Sequence, residues 1–167
     1  MVEGERHKAI RKMVADVIDE RIESTGCKQE LRQSHEKGKG KLNLYFSLND
    51  RILKNEWMAD VDLAIVDPRV PSSVHTIIEI KTKDIRPKDI AGIIGAIAIS
   101  TKLKNQDKVY KIDRTRLIIV VDSLELIKGI KDKQLSRLQS FLKIEGGSIC
   151  SVDICNEENF KKIDFKL

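Results

Sequence analysis

Aromatic residues make up only 4 % of this 167-residue chain. Stacking on unpaired bases needs aromatic rings, so the composition offers little material for a platform that binds single-stranded nucleic acid. Cysteine and histidine are also sparse: Cys27, Cys150 and Cys155 show no CxxC spacing, and the three histidines are scattered. A zinc site is therefore not expected, and an odd number of cysteines without paired spacing fits a reducing cytoplasm.

Long apolar stretches are missing as well. The longest helix-like stretch, residues 90–99, is too short to cross a bilayer and contains Gly92 and Gly95. Residues 1–12 are charged from the start and lack the apolar core of a signal peptide. These absences predict a cytoplasmic protein that does not enter a membrane, and the length predicts a single domain over residues 1–167.

Charged residues are plentiful, at 34 % of the chain, and they are unevenly distributed. Residues 81–116 carry ten basic and four acidic side chains, a local balance of +6 against +5 for the whole chain. Such a basic zone suits a polyanionic partner such as DNA. A lysine-rich solubilising surface is the alternative interpretation. The candidate nucleic-acid-binding residues of the zone are Lys83, Arg86, Lys88, Lys102 and Lys104.

The segment of residues 60–83 carries the prediction of function. It reads as two apolar strands joined by a turn rich in proline and serine. Because strand side chains alternate between faces, Asp60 and Asp62 share one face, and Glu79 and Lys81 share one face. A turn centred near residues 70–71 would set Asp62 roughly opposite Glu79. Two or three carboxylates and one ammonium group are therefore predicted to converge on a small patch of sheet.

Carboxylates that pack together repel one another and need a compensating cation. Hard oxygen ligands suit Mg²⁺ or Mn²⁺ and not Zn²⁺. A solvated surface hairpin with an ordinary Glu79–Lys81 pair is the alternative interpretation, but residues 63–66 and 77–78 are apolar on both faces, which favours a covered strand pair. The segment therefore favours a site for metal-assisted phosphodiester hydrolysis.

An Asp on one strand, a turn, and Glu-x-Lys at the end of the next strand resemble the PD-(D/E)XK nuclease superfamily. This superfamily includes restriction endonucleases, Holliday-junction resolvases and the nuclease domains of several repair enzymes. The motif here is Asp62 followed by Glu79-Ile80-Lys81. The proline of the family motif is absent, since valine precedes Asp62 and alanine precedes Asp60. The choice between the two aspartates stays open, with Asp62 preferred because it directly precedes the apolar run.

The resemblance implies an endonuclease that depends on Mg²⁺ or Mn²⁺ and acts on duplex or branched DNA, in restriction or in repair and recombination. Its catalytic residues would be Asp62, Glu79 and Lys81. The two carboxylates, with Asp60 as a further ligand, would hold the metal, and Lys81 would orient the attacking water or stabilise charge on the phosphate. A duplex substrate would also suit a two-fold homodimer.

A first helix is predicted at residues 4–24, where apolar residues recur at three- and four-residue spacing until Gly26. In nucleases of the superfamily that this chain resembles, a glutamate of the first helix is often a further ligand of the metal site. Glu20 borders the buried face of this helix and is the preferred candidate, with Glu5 and Asp16 as alternatives.

The order of predicted elements is helix, strand, strand, strand, helix, strand, helix, strand. The elements outside the first helix and the hairpin are strands at 41–48, 116–121 and 148–154 and helices at 88–103 and 132–144, with a basic loop at 27–41. This order predicts an α/β fold with a central mixed β-sheet flanked by helices on both faces, and it is also the order of a restriction endonuclease-like core. Because fold alone does not give function, a non-catalytic nucleic-acid-binding or interaction protein with a nuclease-like fold is the competing hypothesis.

Overall fold

The computed structural model of the chain describes residues 4–35, 40–124 and 148–167, together with residue 137. The helices within these residues are α1 (Glu5–Thr25), α2 (Pro87–Ile99) and the short α3 (Glu157–Phe160). The strands are β1 (Glu30–Gln33), β2 (Leu42–Tyr45), β3 (Trp57–Val61), β4 (Leu63–Asp67), β5 (Ser73–Lys81), β6 (Lys102–Asn105), β7 (Lys108–Val121) and β8 (Ile149–Cys155). None of the described helices is long and apolar enough to span a bilayer.

The strands form one mixed sheet with the order β1-β4-β5-β7-β6-β2-β3, and β8 pairs with β7 outside this path. β5 and β7 run parallel, while β4 and β5 form an antiparallel hairpin. β7 is long enough to serve two further neighbours: its first residues pair antiparallel with β6, and its last residues pair parallel with β8. The predicted α/β class with a mixed sheet is therefore confirmed.

One face of the sheet is covered by α2. Ile90, Ile94 and Ile97 of this helix recur at helical spacing and are buried. They belong to one apolar cluster with Leu117 and Ile119, which are alternate residues of β7. Burying a side chain of this size stabilises the fold by about 1.5–3 kcal/mol relative to leaving it exposed, so this cluster is a main source of stability.

The opposite face of the sheet is covered by α1. The buried stripe Ile10, Val14 and Ile18 joins a second apolar cluster with Ile118 and Val120, the other alternating set of β7. Because β7 is covered on both faces, its last residues are apolar without alternation. α1 therefore lies on the sheet with a fixed face, which determines which of its side chains reach the strand ends.

The ends of α1 and of the chain complete this layer. Gly26 follows α1 with φ 60°, a left-handed conformation that costs glycine little and that ends the helix where the sequence predicts. Phe160 and Phe165 belong to the α1-side cluster, and their rings meet edge to face at 5.4 Å between centroids. The charged segment after residue 157 is therefore anchored to the core by its two aromatic residues.

Four elements differ from the sequence-based prediction. The helix predicted at 88–103 ends at Ile99, because residues 102–105 form β6, and the strand predicted at 116–121 begins at Lys108. β6 and the first half of β7 have one face exposed to solvent, and lysines occupy positions on that face. A prediction that relies on continuous apolar runs does not detect such strands. The short strand β1 lies inside the predicted loop 27–41, and the helix predicted at 132–144 falls outside the described residues apart from residue 137.

Candidate active site

Asp62 lies at the break between two strands. β3 ends at Val61, the chain bends at Asp62, and β4 begins at Leu63. β3 pairs with β2, whereas β4 pairs with β1 and β5. The backbone carbonyl of Asp62 accepts a hydrogen bond from the Ser34 N–H at 2.9 Å. Its carboxylate Oδ2 accepts one from the Ile80 N–H at 2.8 Å. Backbone donors on both neighbouring strands therefore fix the position of this residue.

The β4–β5 hairpin brings Glu79 and Lys81 to Asp62. Leu63 pairs with Ile78, so the register continued by one residue sets Asp62 beside Glu79. The two carboxyl groups are hydrogen-bonded to each other, and Lys81 Nζ lies 3.5 Å from Glu79 Oε2. The side chain of Glu79 is only 8 % exposed, whereas that of Lys81 is 37 % exposed. The structure thus brings the three predicted catalytic residues together, with the glutamate innermost.

The pKa values of the two carboxyl groups move in opposite directions. Burial raises the pKa of Glu79 well above its usual range, the negative charge of Asp62 raises it further, and Lys81 opposes both. Burial would also raise the pKa of Asp62, but hydrogen bonds from His7, Glu79 and the Ile80 N–H outweigh it and hold that pKa below its usual value. The two carboxyl groups therefore titrate as a pair, in which Glu79 loses its proton at a higher pH than Asp62.

α1 adds His7 to this group. The His7 Nε2 atom lies 3.6 Å from Asp62 Oδ2, and the histidine side chain is 18 % exposed. His7 precedes Ile10 by three residues and Val14 by seven, so it continues the buried stripe of α1 toward its N-terminus. That spacing is the signal in the sequence that identifies His7. The residues His7, Asp62, Glu79 and Lys81 are named the carboxylate site below.

The two further predicted metal ligands lie apart from this pair. Asp60 Oδ2 is 3.0 Å from Lys41 Nζ, and Asp60 Oδ1 accepts the indole N–H of Trp57 at 3.1 Å. Glu20 is exposed on α1, and its separation of thirteen positions from His7 corresponds to about 20 Å of helix. Among the described residues, no three His, Cys, Asp or Glu side chains are grouped to hold a metal.

The carboxylate site opens into a cavity of about 350 Å³, named the central cleft, which Lys41 and Asp60 also line. Two larger cavities adjoin it. The α2 cavity, of about 680 Å³, shares His7 and Lys81 with the cleft. The α1 cavity, of about 390 Å³, shares Arg11, Ser34 and His35 with it. The carboxylate site therefore lies between these two neighbouring cavities, and the three cavities from the N-terminal half of α1 to the start of α2 are together named the trough.

The predicted nucleic-acid-binding residues fall into two groups. Lys83 and Lys88 line the α2 cavity, at one end of the trough. Arg86 precedes α2, and its Nε lies 3.0 Å from Asp89 Oδ2 in the first turn of the helix. Lys102 and Lys104 are on β6, in another part of the sheet. The other end of the trough is lined by three cations of α1 that were not predicted from the sequence, Lys8, Arg11 and Lys12.

This arrangement has three chemical capacities. A carboxylate pair of which one member is buried can hold a hard cation, an ammonium group beside it can stabilise negative charge, and a trough with cations at both ends can seat an extended polyanion. No family model, curated protein or solved structure matches this chain.

Proposed function

We propose that this protein is a metal-dependent endonuclease that hydrolyses phosphodiester bonds in DNA, of a restriction or a repair and recombination type. The observation that carries the proposal is the single hydrogen-bonded group formed by Asp62, Glu79 and Lys81 in the middle of the trough. These two carboxyl groups are held where repulsion opposes the ionisation of both. A divalent cation would remove that repulsion and favour the ionised form of each.

The residues present fit Mg²⁺ or Mn²⁺. Mg²⁺ in proteins is commonly held by one or two carboxylates, keeps several waters and takes its remaining ligands from substrate phosphates. Asp62 and Glu79 supply that number of carboxylates, and they do so at a cleft large enough for water and a phosphate group. A closed zinc site would need about four nitrogen or sulfur ligands, and no such group exists among the residues that the structure describes. Asp62 and Glu79 would therefore hold the cation.

Each residue of the carboxylate site has a distinct task in this proposal. When bound, the cation would supply Lewis-acid stabilisation of the charge that develops on the scissile phosphate. Glu79 would be ionised with a cation bound, and the contact with His7 favours the ionised form of Asp62. Lys81, the most exposed of the three motif residues, faces both the central cleft and the α2 cavity. Its ammonium group can donate to the attacking water or to a phosphate oxygen.

The trough supplies the binding surface for the DNA backbone. Lys12 lies at its α1 end, Lys41 in the central cleft, and Lys83 and Lys88 at its α2 end. Cations on both sides of the carboxylate site would hold the phosphates that flank the cleaved bond, and such contacts provide affinity without sequence choice. The fold agrees with a restriction endonuclease-like core, because a mixed sheet with α1 and α2 on opposite faces carries the motif at the β3–β4 bend and on β5.

A cleavage assay tests this function directly. Supercoiled plasmid, single-stranded DNA and a four-way junction are incubated with the protein in Mg²⁺, in Mn²⁺ or in EDTA. We expect cleavage of at least one substrate with either metal and none in EDTA, because the carboxylate pair alone supplies no electrophile. Metal-independent cutting, or binding of all three substrates without any cutting, would contradict the proposal.

The pair of variants His7→Ala and Glu20→Ala tests which residue of α1 supports the site. We expect His7→Ala to lower cleavage at limiting Mg²⁺ by about 10- to 100-fold, because a residue that orients a metal-binding carboxylate typically has that effect. Glu20→Ala should cleave like the wild type, since Glu20 is exposed outside the trough. Cleavage rates measured over a Mg²⁺ titration distinguish the two, and an equal loss in both variants would argue against a specific role for His7.

A further inference from the structure

The few aromatic residues of the chain are distributed in an unusual way. Tyr110 and Phe160 are fully buried, as expected for large apolar side chains. Trp57, the single tryptophan, is 52 % exposed, and Phe46 is 46 % exposed. Tyr45, which is half-buried, is the cross-strand partner of Trp57 in the β2–β3 pair. Among the described residues, the aromatic rings outside the core are therefore concentrated in and beside two neighbouring strands.

Tyr45 and Trp57 lie on one face of the sheet. Residues directly opposite each other in an antiparallel pair project to the same side, so the two rings share a face. The neighbours Leu42 and Leu44 of β2 point to the other side, into the α2 cluster. Lys102 of β6 is the partner of Tyr45 on its other flank and shares its face. This face of β6, β2 and β3 is named the outer face.

The outer face contains a small pocket beside Tyr45. It has a volume of about 210 Å³ and is lined by Asn43, Tyr45, Lys104, Gln106 and Asp107. An aromatic ring can stack on a base, amide and carboxylate groups can pair with the donors and acceptors of a base edge, and a lysine can contact a phosphate. The bases of a duplex are stacked on one another and cannot enter such a pocket, so its chemistry suits an unpaired nucleotide.

The outer face is continuous with the central cleft. Asn43 is the cross-strand partner of Lys104 on one side and of Asp60 on the other, so the pocket and Asp60 are two strand spacings or less apart, about 10 Å. Asp60 binds both Lys41 and Trp57, and Asp60 and Lys41 line the central cleft. A nucleic-acid strand that leaves the cleft past Lys41 would therefore reach the rings of Tyr45 and Trp57.

We infer that the outer face binds single-stranded DNA, with one base held in the pocket beside Tyr45 and another stacked on Trp57. This inference rests on the proposed nuclease function and narrows its substrate to DNA with an unpaired segment next to the cleaved bond. Lys102 and Lys104, which the trough does not include, are then contacts to the unpaired strand. The exposure of the single tryptophan has a functional reason in this assignment, because the ring is presented to bases and not to a core.

Trp57 provides the signal for a test, because it is the only tryptophan of the chain. The fluorescence of Trp57 is followed while a short oligothymidylate, or a duplex of the same length, is titrated into the 167-residue protein in EDTA. We expect the single strand to quench the emission and the duplex to bind without that quench. Tyr45→Ala should weaken single-strand binding by about 5- to 150-fold, the range for loss of one stacked base. Tyr45→Phe, which keeps the ring, and Val70→Ala, which removes an apolar group that is 96 % exposed between β4 and β5, should bind like the wild type.

A second variant keeps the inference testable if Tyr45→Ala does not fold. Lys104→Ala should lower the slope of log affinity against log salt by about 0.7, the value for one phosphate contact to a single strand. No quench by the single strand, or wild-type affinity in Tyr45→Ala together with an unchanged salt slope in Lys104→Ala, would overturn the assignment. Because binding is measured without metal, metal-dependent cutting without a quench would leave the nuclease proposal intact and remove only this one. A quench by the single strand in a protein that cuts no substrate would support single-strand binding by the outer face and contradict the nuclease proposal.

Discussion

Replacing Lys81 by alanine is expected to abolish DNA cleavage while DNA binding is retained. Lys81 Nζ lies 3.5 Å from Glu79, and the side chain faces both the central cleft and the α2 cavity, where a scissile phosphate would lie. Loss of one charge-stabilising donor from an enzyme site typically lowers the rate by about 10²- to 10³-fold. Binding should fall only slightly, because Lys83 and Lys88 still line the same cavity.

Single-turnover cleavage at saturating protein measures the chemical step, and binding in EDTA measures affinity separately. Lys162→Ala is the matched control, since this lysine is exposed in the C-terminal segment, away from the trough residues. The control should cleave and bind like the wild type. If Lys81→Ala cut DNA at the wild-type rate, the role proposed for Lys81 would be wrong. If it lost binding and cleavage in equal measure, Lys81 would be a phosphate contact without a part in the chemical step.

The convergence of the motif residues could be predicted because it depends on local pairing. The turn of the β4–β5 hairpin fixes the register, and Leu63 opposite Ile78 then places Asp62 at Glu79. The same local rule places Glu79 and Lys81 on one face, and Lys81 is the more exposed of the two at the end of β5. The placement of α1 against the sheet also follows from its apolar stripe. Period and turn chemistry are properties of adjacent residues, so a single sequence contains them.

The rest of the site depends on contacts between distant parts of the chain. His7 and Asp62 are 55 residues apart, and their contact requires the angle at which α1 crosses β4 and β5, which no local pattern encodes. Hydrophobicity alone would predict that Trp57, the single tryptophan, is a packing anchor. The irregular register between Leu44 and Tyr45 and the hydrogen bond to Asp60 leave it exposed instead. The start of β6 was predicted as the end of a helix for a related reason, because its partner strands could not be identified in advance.

Replacing Glu79 by glutamine is expected to stabilise the metal-free protein and to abolish its response to Mg²⁺. The pKa of Glu79 is raised in the folded state by burial and by Asp62, whereas an unfolded glutamate titrates near about 4.3. Above that unfolded value the folded protein holds a proton that the unfolded chain has released, so the free energy of unfolding falls as the pH rises through the raised pKa. Within that window each pH unit costs up to about 1.4 kcal/mol.

The lowered pKa of Asp62 acts in a different pH range. Its contribution to stability is present above its unfolded pKa, near about 3.9, and is lost as the pH falls through the lower folded value. The stability of the metal-free wild type should therefore rise with pH in the acid range and fall again as Glu79 ionises. Glu79→Gln removes only the second change, because the amide keeps the size of the side chain and can still donate a hydrogen bond to Asp62.

Thermal unfolding in EDTA at mildly alkaline pH, with and without excess Mg²⁺, measures both effects. If ionised Glu79 costs the wild type roughly 1–2 kcal/mol, the variant should melt about 2–8 °C higher in EDTA. Mg²⁺ at about 100 times its dissociation constant should stabilise the wild type by about 2.7 kcal/mol and the variant far less, because the variant has lost one of its two carboxylates. Glu158→Gln, at an exposed glutamate of α3, should change neither value.

A variant that melts lower than the wild type in EDTA and still gains stability from Mg²⁺ would show that Glu79 has a structural role. The expected result, greater stability with loss of cleavage, would instead show that the chain keeps a destabilising buried carboxyl group because the metal requires it.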